Sequence, residues 1–381
     1  MSGYKFTVQN SDGTPSSTIT DFDDYFIRKN MLYNNGIWVW GNNNGGQLGL
    51  NDIANRSSPV QVGALNTWKY VTYDFSSTIA IKTDGTLWSW GDNFWGTLGL
   101  NDTTNRSSPV QVGSLTDWKN VSLGSYVSLA IKTDGTLWTW GLNSSGTLGL
   151  NDLVNRSSPV QVGTLTNWKQ VSTSSYTTAS IKTDGTLWTW GDNFYGQLGQ
   201  NNTTYRSSPV QVGTLKNWKH VSCGSYHVLA VKTDGTLWGW GINDYGQLGL
   251  GNTTNRSSPV QIGSSTDWNL VKSGAGNSLA IKNDGSLWSW GANNYGQLGL
   301  GDVVHRSSPV QVGSLSDWKL ISSISEYSLA VKTDGTLWSW GRNTSGQLGL
   351  NDIVNRSSPV QVGSLKIWKH ISGSSAIQSL D

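Results

Sequence analysis

Three side chains have the spacing of a metal site: His220-x-x-Cys223-x-x-x-His227. Two imidazoles and a thiolate are good zinc ligands when a fourth group completes the tetrahedron. Here the set occurs once, has no fourth ligand nearby, and runs along a strand whose side chains alternate sides. No metal is therefore expected. Asp92 and Asp192 repeat imperfectly along the chain, and only a cleft would turn them into acid–base groups. The arginines of Arg-Ser-Ser-Pro (Arg56, Arg106, Arg156, Arg206, Arg256, Arg306 and Arg356) recur periodically. They are expected to donate to loop carbonyls rather than to form a nucleic-acid ring. No nucleophile is paired with a base and no phosphate loop is present. Hence no catalytic residue and no cofactor are expected, and a lyase or glycosidase reading lacks an asymmetric acid–base set.

What remains is aromatic. Tyr73, Phe75, Tyr126, Tyr176, Tyr226 and Tyr327 fall in one variable stretch of successive repeats. Phe94, Trp95, Phe194, Tyr195, Tyr245 and Tyr295 fall in a second. Aromatics gathered where repeats differ suit protein contacts or a sugar platform. These twelve are the candidate binding residues, the alternative being that some only cover blade ends.

A strict repeat must position them. The stretch 81–113 reads IKTDGTLWSWGDNFWGTLGLNDTTNRSSPVQVG, and close copies begin at Ile131, Ile181, Val231, Ile281 and Val331. A repeat of this length signals a solenoid or propeller. Each unit holds four strand candidates: one opening on Trp (as Trp118), one like Ser128-Leu129-Ala130-Ile131-Lys132, one Leu-Trp-x-Trp-Gly, and one Ser-Pro-Val-Gln-Val. Asp-Gly between the second and third predicts a type I′ hairpin. The proline of the fourth (Pro59 to Pro359) has no N–H and belongs at a sheet edge. Twenty-one of the 22 tryptophans hold three fixed repeat positions, so they read as core, with Trp95 the exception. Four short strands bury both faces only when stacked radially. Trp-x-Trp and Arg-Ser-Ser-Pro each occur seven times. The fold class expected is all-β: a seven-bladed β-propeller of four-stranded antiparallel blades over residues 31–381. The ring should close through a mixed blade, the C-terminal strand 367–372 completing the one begun by 31–63. If strands alternate in direction, both variable stretches emerge on one face.

Bulk composition excludes several classes. The 381 residues carry a formal net charge of +2 and only 13% charged side chains, too little basic field for nucleic acid. Cys223 is the only cysteine, so no internal disulfide forms. No apolar run approaches the roughly 18 residues of a membrane helix, so no span is expected. The opening MSGYKFTVQNSDGT has no secretion-signal pattern, so a protein made and kept in cytoplasm is the plain expectation. Residues 1–30 are not repeat. Tyr4 to Gln9 reads as a short strand, 10–20 as loop, and 21–28 mixes acids with aromatics. Tyr4, Phe6, Val8, Phe22, Tyr25 and Phe26 are the candidate anchor residues of an N-terminal arm.

Gly241-Ile242-Asn243-Asp244-Tyr245-Gly246-Gln247-Leu248-Gly249, the Arg-x-x-Pro-x-x-Val element and Leu-Ala-Ile-Lys-x-Asp-Gly-x-Leu-Trp-x-Trp-Gly resemble the repeat of the regulator of chromosome condensation family. The resemblance spans about residues 31–372 and implies the propeller fold strongly, function weakly. The family includes a nuclear exchange factor for a small GTPase and a bacterial inhibitor that clamps β-lactamases. The exchange factor has a basic N-terminal tail and a protruding wedge. Here residues 1–30 set Lys5, Arg28 and Lys29 against Asp12, Asp21, Asp23 and Asp24, and no repeat carries an insertion. The near-identical repeats and the Asp21-Phe22-Asp23-Asp24-Tyr25-Phe26-Ile27-Arg28-Lys29 lead-in are similar to repeat proteins of tailed phages. That likeness implies a non-enzymatic virion component, in tail, fibre or capsid decoration. Its partners would be other virion proteins through the arm and a host-surface glycan or protein through the aromatic face. The alternative it leaves is a cytoplasmic clamp or inhibitor of another protein.

Overall fold

The computed structural model describes residues 6–9, 15–19, 36–64, 67–373 and 375–378. Each repeat folds as an antiparallel sheet whose strands lie side by side in chain order. In blade 2 (118–161) they are Trp118–Leu123, Val127–Lys132, Leu137–Gly141 and Arg156–Gln161. Blade 1 (68–111) precedes it, and blades 3 (168–211), 4 (218–261), 5 (268–311) and 6 (318–361) follow. Seven four-stranded sheets are present among the described residues, as the repeat count predicts. The first strands of successive blades pack side by side and enclose an axial channel. The Arg-Ser-Ser-Pro strand is outermost in every sheet, where its proline forfeits no ladder bond.

Blade 7 combines both chain ends in the order Trp368–Ser372, Ser375–Gln378, Ile37–Gly41, Arg56–Gln61. The tail thus supplies two strands, not the one expected over 367–372. The period hides the second. In blade 2 Ala130 pairs with Val121 nine positions back, whereas in blade 7 Ala376 pairs with Ile371 only five back. The intervening turn is four residues shorter, so the Ala-Ile signature arrives ahead of register. A separate two-stranded sheet pairs Phe6–Gln9 with Pro15–Ile19, a strand inside the segment expected to be loop. Phe6 and Val8 lie on that hairpin, and the other anchor candidates, Tyr4, Phe22, Tyr25 and Phe26, lie outside the described residues.

The core lies between blades. At the junction of blades 1 and 2, Ile79, Ile81, Leu87 and Val112 of one meet Trp118, Val121, Ala130 and Trp140 of the next. Trp118 sits edge-on to both Trp138 and Trp140, at 6.1 and 6.3 Å. Trp140 is wholly buried, and its indole N–H donates across the junction to the Thr97 carbonyl at 2.7 Å. Each such indole contributes about 4–6 kcal/mol of gross burial as an upper bound. Gly99 makes room for it. A Cβ there would stand 2.8 Å from Trp140 Nε1, and its φ of 72° already disfavours other residues. The following Asn101 N–H donates to Ser157 O of blade 2, and the same bond from Asn351 to Ser57 closes the ring, each at 2.7 Å.

The Asp-Gly hairpins differ from the type I′ expectation. Gly135 has φ 80°, Asp134 keeps a negative φ, and Gly135 N–H donates to Lys132 O at 3.0 Å. The loop is therefore three residues long with one left-handed glycine. Asp134 Oδ1 accepts from both the N–H and the hydroxyl of Thr136, and that bonding holds the aspartate on the right-handed side. The repeated arginines do as expected: Arg106 donates to Thr104 O at 2.6 Å and to Asp102 Oδ2 at 2.6 Å.

Candidate functional site

Within each blade the turn between strands one and two and the loop between strands three and four open on one face of the ring. On blades 2 to 4 that face carries a run of rings in contact. Tyr126 and Tyr176 lie 6.2 Å apart, Tyr176 and Tyr226 are stacked at 6.0 Å and 13°, and Tyr195 meets Tyr226 edge-on at 5.3 Å. Phe194 extends the run from Tyr195 at 4.9 Å. At the other end Trp95 packs on the same apolar cluster as Tyr126 and holds Phe94 at 4.7 Å. The rule behind the run is geometric: the three–four loop of one blade leans over the one–two turn of the next. The same rule sets Tyr245 against Gly276, while Tyr295 lies under Arg342, the first residue of the next blade's three–four loop, whose guanidinium lies 5.2 Å from the ring.

Carboxylates aim the outermost rings. Asp92 Oδ1 accepts from the Phe94 N–H at 3.0 Å, and Asp192 Oδ1 from the Phe194 N–H at 3.3 Å. Phe94 and Phe194 are left 66% and 71% exposed, the least covered of the candidates. Asp92 and Asp192 are thus turn-formers, with no cleft between them. Burial raises the phenols of Tyr176 and Tyr226, with neighbouring tyrosines and Asp192 adding to it, so both stay protonated donors.

The structure brings together Phe94, Trp95, Tyr126, Tyr176, Phe194, Tyr195 and Tyr226, and places Phe75, Tyr245 and Tyr295 farther round the same face. Tyr73 and Tyr327 take no part in the run and lie beneath this face, lining a small cavity with Phe75, Glu326 and Arg342. They are only 4% and 7% exposed. Tyr73 occupies the repeat position of Leu123, and Tyr327 that of Val127, both of which pack between blades. Counting the register residue by residue distinguishes them from the tip tyrosines at position 126 and its counterparts. On the far side of the face, the Glu326 carboxylate pairs with Arg342 at 2.5 Å, so the aromatic run has a charged opposite edge.

Inside the rim lies the mouth of the channel, a cavity of about 220 Å³. Its wall includes the inward side chains of Thr72, Ser122, Ser172, Ser222, Lys272, Ser322 and Ser372, one per blade. Most of these hydroxyls clamp the next blade: Ser122 Oγ accepts from the Thr173 N–H, Ser172 from Cys223, Ser222 from Ser273, and Ser322 from Gly373, each at 3.0 Å. Lys272 alone breaks the pattern, and enclosure lowers its ammonium pKa. Asp74 lines the same cavity on blade 1, its carboxyl raised by burial. Sequence reading passed over both, although the signal was available: lysine where the other six units have serine or threonine.

The His-x-x-Cys-x-x-x-His set does not converge. His227 is buried with Nε2 3.3 Å from Ser278 Oγ, and the Cys223 thiol donates to Ser172 O at 3.4 Å. His220 is displaced downward to about 3 by burial first and by Lys272 and Lys219 after it. No cluster of three metal-ligating side chains occurs among the described residues, and no helix among them is long and apolar enough to cross a membrane.

Sequence comparison matches residues 152–379 to the RCC1-like domain, and residues 34–74, 84–131 and 118–147 to the regulator of chromosome condensation (RCC1) repeat. The chain belongs to this family. No curated protein sequence matches it. Among solved structures, yeast RCC1 (Prp20) with Kap60 bound superposes with a TM-score of 0.80 at 20% identity, over 99% of this chain and 97% of that one. Prp20p of Saccharomyces cerevisiae, described with its binding properties to Gsp1p and histones, gives 0.78 at 20% identity over 94% of each. Human WBSCR16 gives 0.78 at 20% identity, over 90% of this chain and 98% of that one. Identity at this level establishes the shared fold.

Proposed function

We propose that this propeller is a non-enzymatic docking module that holds its partner against the aromatic run of blades 2 to 4. The observation that carries this reading is the unbroken contact of rings from Tyr126 through Tyr176, Tyr226 and Tyr195 to Phe194. Rigid aromatics bury large area at low entropic cost and dominate binding surfaces. The setting we propose is a phage particle, in which residues 1–30 join the ring to other virion proteins and leave the aromatic face toward the host surface. Two things support that setting: the likeness of the lead-in to phage repeat proteins, and a terminal hairpin, Phe6–Gln9 with Pro15–Ile19, that pairs with no blade strand among the described residues. The second reading, a clamp on a cellular protein, draws on the shared fold of yeast RCC1 (Prp20), whose structure holds Kap60.

The two settings separate in one experiment. Blade 2 carries Ser144-Ser145 where blades 1 and 3 carry Phe94-Trp95 and Phe194-Tyr195, so serine suits these loops. Phe94→Ser, Trp95→Ser, Phe194→Ser and Tyr195→Ser together should leave melting within a few degrees of wild type and weaken partner or host-surface binding by about a hundredfold. Deletion of residues 2–25 should leave the face active but release the protein from purified particles. Particles that retain the deleted form sink the anchor, and undiminished binding by the serine variant sinks the aromatic face.

A further inference from the structure

The channel mouth carries an inventory of donors without matching acceptors. Ser122, Ser172, Ser222 and Ser322 each accept a backbone N–H from the next blade. Each keeps its own O–H hydrogen; that of Ser172 can turn to the Cys223 sulfur, whereas those of Ser122, Ser222 and Ser322 donate to no protein acceptor among the described residues. Lys272 adds an ammonium to the same wall and forms no ion pair there among the described residues. A half-buried cation flanked by hydroxyl donors that lack protein acceptors presents a converging donor set that an anion can satisfy. Its packing role is also dispensable, since serine at this position serves the neighbouring blades and would accept the Ser323 N–H as its counterparts do.

Asp74 limits which anion fits. It lines the cavity from blade 1, three blades from Lys272 around the ring, with no ion pair between the two. A multiply charged phosphate would be repelled there, while a ligand with one carboxylate and several hydroxyls could donate to it. The cavity of about 220 Å³ is large enough for such a body. We propose that the axial cavity is a binding site for a sugar-sized hydroxy-carboxylate, its carboxylate on Lys272 and the serine hydroxyls and its hydroxyls toward Asp74. This site is separate from the aromatic run, so neither stands or falls with the other.

D-Glucuronate, D-glucose and inorganic phosphate are the probes, titrated calorimetrically into the full chain. Lys272→Ser restores the repeat residue and is expected to fold at least as well as wild type. Glucuronate should bind saturably, about tenfold or more tighter than glucose, and Lys272→Ser should abolish that preference. The site should also protect Lys272 from reductive methylation, read by mass spectrometry. Equal binding of glucuronate and glucose overturns the proposal, as does unchanged affinity in a folded Lys272→Ser protein. Phosphate binding without glucuronate binding likewise overturns it.

Discussion

His227 shows how one side chain sets a response of the whole ring. It is wholly buried between blades, and burial pushes its imidazole down to about 3 from 6.5. A base with a depressed folded pKa is protonated first in the unfolded chain. Its contribution is therefore intact above about pH 6.5 and is lost as pH falls toward 3. At about pH 5 the loss from this ring alone amounts to about 2 kcal/mol. His220 and His370 shift the same way, to about 3 and about 4, with burial the largest cause. At lower pH, carboxylates such as Asp102 add to the loss, because the Thr104 N–H above all holds its pKa down. Asn277 takes the place of His227 in blade 5. His227→Asn should accordingly flatten the fall in unfolding free energy between about pH 7 and pH 5, measured by urea titration. An unchanged slope would show that another group dominates.

At the scale of the element, glycines separate two costs that sequence alone cannot. Gly113 has φ 60° with nothing within 4 Å of an added Cβ, whereas Gly99 has φ 72° and a tryptophan in the way. Gly113→Ala should cost about 1 kcal/mol of backbone strain. Gly99→Ala adds overpacking against Trp140 and should cost about 2–4 kcal/mol. Equal losses in chemical denaturation would contradict the junction geometry. Elements were legible wherever the period held: the Trp-x-Trp strand, the edge strand with its proline and the Asp-Gly turns all lie where the repeat puts them. The type of turn was not legible, because Asp134 decides it through bonds to Thr136 that depend on the folded loop. Nor was Ser375–Gln378, whose signature runs four residues ahead of the period.

For the whole molecule, closure is the decisive feature. Gly373 of blade 7 donates its backbone N–H to Ser322 Oγ of blade 6 at 3.0 Å, and Tyr73 of blade 1 donates its backbone N–H to Ser372 Oγ at 3.1 Å. The C-terminal pair of strands therefore touches both neighbours as the inner half of blade 7, and the N-terminal pair adds to it as the outer half, where the Trp40 indole N–H donates to Gln347 O of blade 6 at 2.9 Å. Truncation after residue 366 should remove half of blade 7 and open the ring. Calorimetry is expected to show loss of the single cooperative transition, accompanied by aggregation through the exposed blade faces. A truncated chain that melts as a monomer at the wild-type temperature would mean the blades are stable without closure.

Periodicity by itself determined the blade number, the strand order, the placement of the tryptophans between blades and the face on which repeats differ, because these follow from local pattern and from the need of each sheet to cover its neighbours. Register also held a clue to Lys272, as a lysine in a column of serine and threonine. Only the tertiary structure decided that seven first strands bring that column together around one cavity, with Asp74 across from the lysine. Only it decided that Tyr126, Tyr176 and Tyr226 touch while Tyr73 and Tyr327 are buried. Those facts depend on which side of a strand faces the axis and on how one blade's loop leans over the next, and both are properties of the closed ring rather than of any single repeat.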